Sequence, residues 1–457
     1  MIGLLVSAGP AAASSATFVR DINGGPADSI PQAFGDFGGA AMFFADDGVH
    51  GNELWRSDGT SPGTKLVRDI YPGPDSSEPA FPYAPVTVDG TLFFAATDGP
   101  YGTELWRSDG TATGTKMVRD LYPGATGSYP SDLVSFGGKL FFAASDHTHG
   151  IELWRSDGTA EGTQLVSDIH PGGSNGYMNG LTVVGDSLYF AATDGVHGVE
   201  LWRSDGTRLG TEMVRNIRAD ASLWNSGSNP QDLTVVGQDL FFIANDGTHG
   251  TELWRSDGTA DGTQLVRDIH RGRAGTPGPY GITKVGETVF LAADDGIHGT
   301  ELWRSDGTPG GTRLARDINP GSGSSYPYDL EASGGDLFLT ADDGTHGTEV
   351  WHSDGTTLGT KLVRSIRVGA RGCSPGELTD VGGTLFFRAT DGTHGFELWR
   401  SDGTVAGTTM INIRPEGGGG TVGGRGSVPR SLTNIGGTLF FGADDGTQGR
   451  ELWKATP

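Results

Sequence analysis

Apolar residues in this chain fall in short alternating runs rather than at helical spacing. From Pro230 to Ile269 the sequence reads "DLTVV", "DLFFIAND", "TELWRSD" and "TQLVRDI". Period-2 alternation with aromatic and β-branched enrichment predicts four strands. The joints "GQ", "GTHG" and "GTADG" are turn chemistry: glycine takes left-handed conformations, and Asp or Asn accepts hydrogen bonds from the amides that follow. The four strands are labelled a, b, c and d.

The unit recurs. "ELW" begins at Glu53, Glu104, Glu152, Glu200, Glu252, Glu301, Glu397 and Glu451, and "EVW" at Glu349, at intervals of 48 to 54 residues. Strand b, marked by Phe43, Phe93, Phe141, Tyr189, Phe241, Phe290, Phe338, Phe386 and Phe440, gives nine copies independently. Four strands in about 48 residues suit a propeller blade, whereas leucine-rich and ankyrin units are shorter. A β-solenoid would need polar caps at both ends. Here an unmatched strand d, "TFVRDI" at Thr17–Ile22, comes first, and strand c, "RELWK" at Arg450–Lys454, comes last. The expected fold is all-β: a closed propeller of nine four-stranded blades, with velcro closure of the C-terminal blade by Thr17–Ile22. Its expected blades are 23–70, 71–121, 122–169, 170–217, 218–269, 270–318, 319–366, 367–413 and 414–457 plus 17–22, in one domain over 17–457.

Within strand c, Glu and Trp share one face while Leu and Arg share the other. Trp55, Trp106, Trp154, Trp202, Trp254, Trp303, Trp351, Trp399 and Trp453 are expected to wedge between blades with each N–H on a local partner; sugar stacking is the alternative. The glutamates and the arginines of "RSDG" or "VRDI" are expected to pair and hold register. The "SDGT" segments read as turns.

The b–c turns are more distinctive. "DDGVHG" and its variants place His50, His149, His197, His249, His298, His346 and His394 before a glycine, and Tyr101 and Gln448 replace the histidine in two blades. Two readings stand: each histidine caps its hairpin, or the turns form a surface for a ligand or a divalent metal. Pairs such as Asp46 with Asp47 and Asp294 with Asp295 offer the oxygen ligands that calcium takes. No complete calcium-loop signature accompanies them, so calcium or another divalent cation is the one cofactor class left open.

Composition narrows the partners. A net charge of -24 disfavours nucleic acid and anionic membranes. The single cysteine, Cys373, excludes an intrachain disulfide and reads as incidental. The opening "MIGLLVSAGPAAASSA" has the apolar run and A-x-A sites of a signal peptide without its basic start. Residues 1–16 are read as that leader, the mature chain as exported and monomeric. No other stretch reaches the roughly 18 apolar residues of a membrane span.

The a–b and c–d turns keep their lengths, while d–a connections vary, the longest being "RADASLWNSGSNPQ" and "RPEGGGGTVGGRGSVPR". The d–a connections share a face with the b–c turns, and variation on a fixed scaffold is where binding resides. Trp224, the one tryptophan outside the repeat, lies in the first of these loops, either as a stacking group or as the loop's own anchor. No Ser-His-Asp set, catalytic carboxylate pair or metal-ligand spacing is evident. The expected function is a non-catalytic adhesion module that binds an extracellular carbohydrate or protein through Trp224, the seven histidines and Tyr101. A structural surface scaffold and a polysaccharide hydrolase or lyase are the alternatives.

The string "ELWRSDGTxxGT", preceded by "DGTHGTELW", resembles the bacterial ELWxxDGT-repeat family of secreted and surface proteins over Thr17 to Trp453. "SDGT" is intact in eight copies and the ninth reads "ELWKATP". The resemblance implies an extracellular repeat protein and brings no catalytic residue with it.

Overall fold

Strand b is buried along nearly its whole length because both of its faces meet other sheets. In the second blade, Leu92 through Ala96 are all buried, which is why strand b reads as a nearly continuous apolar run. The computed structural model describes residues 15–77, 84–219, 227–272, 278–414 and 426–457. It contains nine four-stranded sheets, each in the order a-b-c-d, and no helix among the described residues. In blade 5 the strands are Gln231–Val236, Asp239–Asn245, Thr251–Ser256 and Gln264–Arg267.

Blade 9 takes strands a, b and c from Arg430–Ile435, Thr438–Asp444 and Arg450–Ala455, and its outer strand from Thr17–Arg20. Thr17 lies opposite Lys454 and Phe18 opposite Trp453. Each strand a touches the strand a of both neighbours, blade 9 against blade 1 included. The inner strands therefore line a common axis, and the fold is a nine-bladed β-propeller. One register differs from expectation. In blade 1, Met42 lies opposite Arg56, as Phe93 lies opposite Arg107, so Met42 rather than Phe43 is the equivalent of the strand-b marker.

The tryptophans face the preceding blade. Trp106, with Leu92, Phe94 and Ala96, packs on Met42, Phe44, Leu54, Val67 and Ile70 of blade 1. Truncating such a ring to alanine typically costs about 3–5 kcal/mol. Arginines from the preceding strand d lie over several of these rings, Arg68 at 5.8 Å from Trp106 and Arg267 at 5.7 Å from Trp303. The same arginine row reaches carbonyls in the next c–d turn, as Arg119 Nη1 donates to Thr163 O at 2.9 Å and Arg364 Nη1 to Thr408 O at 2.8 Å. The expected local partner of the indole N–H is found by Trp399, on Ala389 O at 3.2 Å. Trp55, Trp106, Trp154, Trp202, Trp254, Trp303 and Trp351 have no such partner; their N–H groups are buried by the wedge itself.

The c–d turns are closed by their own side chains. Asp58 Oδ1 accepts from Thr60 N at 2.9 Å and Thr60 Oγ1 at 2.7 Å, and Ser57 Oγ meets Thr64 Oγ1 at 2.7 Å. Gly63 is required there, because a Cβ would stand 1.9 Å from Asp58 Oδ1.

Candidate functional site

The b–c turns place each histidine on its own aspartate. Asp47 Oδ1 accepts from Val49 N at 3.0 Å and His50 N at 2.9 Å, while His50 Nδ1 meets Asp47 Oδ2 at 2.8 Å. The same contact joins His149 to Asp146, His197 to Asp194, His249 to Asp246, His298 to Asp295, His346 to Asp343 and His394 to Asp391. Where the histidine is replaced, the backbone bond persists: Tyr101 N donates to Asp98 at 3.0 Å and Gln448 N to Asp445 at 3.1 Å. The turn therefore needs the aspartate and tolerates several residues three positions on. The Asp47 hydrogen bond raises the His50 pKa. Among the described residues, no three His, Cys, Asp or Glu come together in a way that could hold a metal. Trp224 and most of the expected leader, residues 1–14, lie outside the described residues.

The glutamates of "ELW" do not pair with arginine. Glu53 is fully buried, accepting from Ile70 N at 2.8 Å, Tyr71 N at 3.1 Å and Ser77 Oγ at 2.7 Å. None of the nine has a basic partner among the described residues. The backbone amides that follow strand d take the place of the expected arginine, so each carboxyl latches its d–a connection to strand c. Burial outweighs these donors and pushes Glu53, Glu104, Glu252, Glu301 and Glu451 up to about 7. Glu152 rises to about 8. Gly176 stands in its blade where Ser77 and Ser128 donate in theirs.

Cys373 occupies that serine position beside Glu349 and is fully buried. Burial and the neighbouring carboxyl push its thiol far up, which makes it inert. A thiol-reactive probe is expected to leave the native protein untouched and to label it once after denaturation. Cys373→Ser should shift stability by less than about 1 kcal/mol.

Specific chemistry sits where the blades differ. In several blades the residue that follows strand d lies over the b–c turn glycine of the next blade: Asn23 over Gly48, Tyr71 over Gly99, His170 over Gly195, Arg367 over Gly392 and Arg414 over Gly446. Geometry is constant while the side chain changes.

The strongest departure spans blades 8, 9 and 1. The residue before "ELW" or "EVW" is Asn52, Thr103, Ile151, Val199, Thr251, Thr300, Thr348 and Phe396 in the first eight blades, and Arg450 in the ninth. Arg450 Cδ approaches the position a Cβ of Gly442 would take, at 3.5 Å, and Gly442 lies opposite Arg430. The tighter neighbours of that position are Pro31 Cδ at 3.3 Å and Pro31 O at 3.4 Å, and Arg450 Cδ is in ordinary contact with it. Arg414 and Arg450 line a cleft of about 640 Å³ on the b–c and d–a face, with Asp28, Asp444, Thr447 and Val428. Arg414 Nη1 pairs with Asp444 at 3.0 Å, and Asp28 accepts from Arg450 N at 2.7 Å. The Arg450 guanidinium has no carboxylate partner among the described residues, and its Nε is buried without one. Nearby, Arg388 and Arg430 share Glu377 at 3.9 and 3.6 Å. Alignment of the nine copies at positions 442 and 450 carries the signal for this cleft.

No family model and no curated protein matches the chain. Solved structures to which it is similar include a prolyl endopeptidase at 14% identity and TM-score 0.44, covering 79% of this chain and 54% of that one. A puromycin hydrolase matches at 14% and 0.43, covering 93% and 61%, and oligopeptidase B from Leishmania major at 13% and 0.43, covering 79% and 52%. The chain thus spans little more than half of these proteins. The expectation of a non-catalytic adhesion module for carbohydrate or protein is corrected by these findings: the neighbours are peptidases and a hydrolase. The expected ligand groups fit it poorly too, since the seven histidines are committed to turn aspartates. At this degree of similarity no activity passes from the neighbours to this chain.

Proposed function

We propose that the protein is a receptor for a small anionic ligand, carrying a carboxylate or phosphate, held between Arg414 and Arg450. One observation carries the reading: a guanidinium without a carboxylate partner lines the 640 Å³ cleft, in a chain whose net charge is -24. Bidentate arginine contacts are a strong way to hold such groups, and Asp444 already orients Arg414. The apolar leader and the ELWxxDGT resemblance support an exported receptor, and fractionation of the source cells tests that part.

Calorimetric titration with inorganic phosphate and with citrate tests the site. Binding of at least one is expected, with a loss of about tenfold or more in Arg450→Gln and a smaller loss in Arg414→Gln. No heat with either anion, or equal binding by Arg450→Gln, would overturn the assignment.

A further inference from the structure

The opposite face of the ring, where the c–d turns lie, carries a pair of cations that the chain leaves unneutralised. In blade 2, Arg107 of strand c lies directly across from Lys116 of strand d. Like charges opposite one another on a strand pair are destabilising, and most blades avoid the clash at this position. Arg203 Nε donates to Glu212 at 2.9 Å, Arg255 Nη2 to Asp239 at 2.8 Å and Arg155 Nη2 to Gln164 at 3.1 Å, while His352 replaces the arginine and meets Asp336 at 3.0 Å. Two other blades keep a like-charged pair, Arg56 across from Lys65 and Arg304 across from Arg313.

In blade 2 the pair opens onto a cleft of about 340 Å³, which Arg107 and Lys116 line together with Thr91 and Thr113. Thr91 lies two residues before Phe93, which faces Arg107 across strands b and c. Thr91, Arg107 and Lys116 therefore project from three adjacent strands on one face of the sheet. The guanidinium is laid along the c–d turn of blade 3: Nη1 and Cδ stand 3.3 and 3.4 Å from where a Cβ of Gly158 would sit. Its Nε is buried without a hydrogen-bond partner, and neither cation forms an ion pair among the described residues. Asp109 also lines the cleft, but its Oδ1 is turned back on its own loop, accepting from Thr111 N at 3.0 Å and Thr111 Oγ1 at 2.6 Å.

One guanidinium, one ammonium and two hydroxyls around a cleft suit a tetrahedral oxyanion. Its oxygens take charge-assisted hydrogen bonds from several directions, and its charge relieves the repulsion between the two cations. We propose that Arg107, Lys116, Thr91 and Thr113 form a binding site for a phosphate or sulfate group. The site lies on the face opposite the arginine cleft of blades 8, 9 and 1, and holds or fails independently of it.

Calorimetric titration of the Arg450→Gln protein with sodium sulfate tests it, because that background disables the other anion cleft. Saturable binding is expected, and sodium chloride at matched ionic strength should not reproduce it. Lys116→Glu, added to the same background, installs the ion pair that blade 4 already has and should weaken sulfate binding by about tenfold or more. Arg107→Gln should weaken it as well. Lys116 is exposed, so a melting temperature no lower than the parent's verifies that the Lys116→Glu chain is folded. Glycerol 3-phosphate forms a second arm: tighter binding than inorganic phosphate places the oxyanion on an ester, and equal or weaker binding places it on a free ion. No saturable heat with sulfate, the same heat with chloride, or sulfate binding undiminished by Lys116→Glu overturns the proposal.

Discussion

Glu301→Ala is expected to destabilise the protein by about 3–5 kcal/mol, the scale for stripping a buried charged or hydrogen-bonded group of its partners. Glu301 is fully buried and receives Ile318 N at 2.8 Å, Asn319 N at 3.2 Å, Ser325 N at 2.9 Å and Ser325 Oγ at 2.7 Å. Alanine leaves these donors in a space water does not reach and unfastens the d–a connection from strand c. Glu301→Gln keeps one accepting oxygen and the volume, so its loss should be clearly smaller. Urea denaturation of the three proteins side by side checks this; a Glu301→Ala midpoint equal to the parent's would sink the latch.

The second large effect is a stability maximum on the acid side of neutrality. The latch carboxyls carry pKa values of about 7 or 8 in the folded protein against an ordinary 4.5. Between those values the unfolded chain has released protons that the folded chain keeps, so stability falls as pH rises through that window, by up to about 1.4 kcal/mol per pH unit for each carboxyl. His50, His249 and His298, raised by their aspartates, act in the same direction above 6.5. The turn aspartates oppose this at low pH. Hydrogen bonds from Thr60 hold Asp58 below 3.8, and those from Thr308 do so for Asp306. Their stabilisation is present above 3.8 and is lost as pH falls through their folded values. Calorimetric melting temperatures are therefore expected to peak near pH 4, roughly between the two families, and to decline toward pH 8. A flat profile, or a peak near pH 8, contradicts the buried-carboxyl account.

The architecture was legible in the chain because its markers are local. Period-2 strands and glycine turns each fit within a few residues, and Trp and Glu fall on one strand face by simple alternation. The three-residue run Met42, Phe43, Phe44 has no alternation to fix its register, so the first strand-b marker slips by one residue. The partners of Glu53 were illegible for a different reason. They are amides 17 and 18 residues onward and a serine 24 onward, and amides carry no sequence signature. The expected arginine pairing followed charge, whereas the fold follows the accounting of buried backbone donors. At the arginine cleft, Arg450 looks like drift in a repeat until Arg414 is seen lining the same cleft.

Thr17 facing Lys454 and Phe18 facing Trp453 put the start of one strand and the end of the other at the same end of the pair. Tension applied between them peels that pair open one hydrogen bond at a time, instead of loading all its bonds together in shear. Blade 9 is therefore expected to be the mechanical fuse of the ring. Arg450 begins the same strand c, so the edge of the arginine cleft is expected to loosen once that pair has opened along its length.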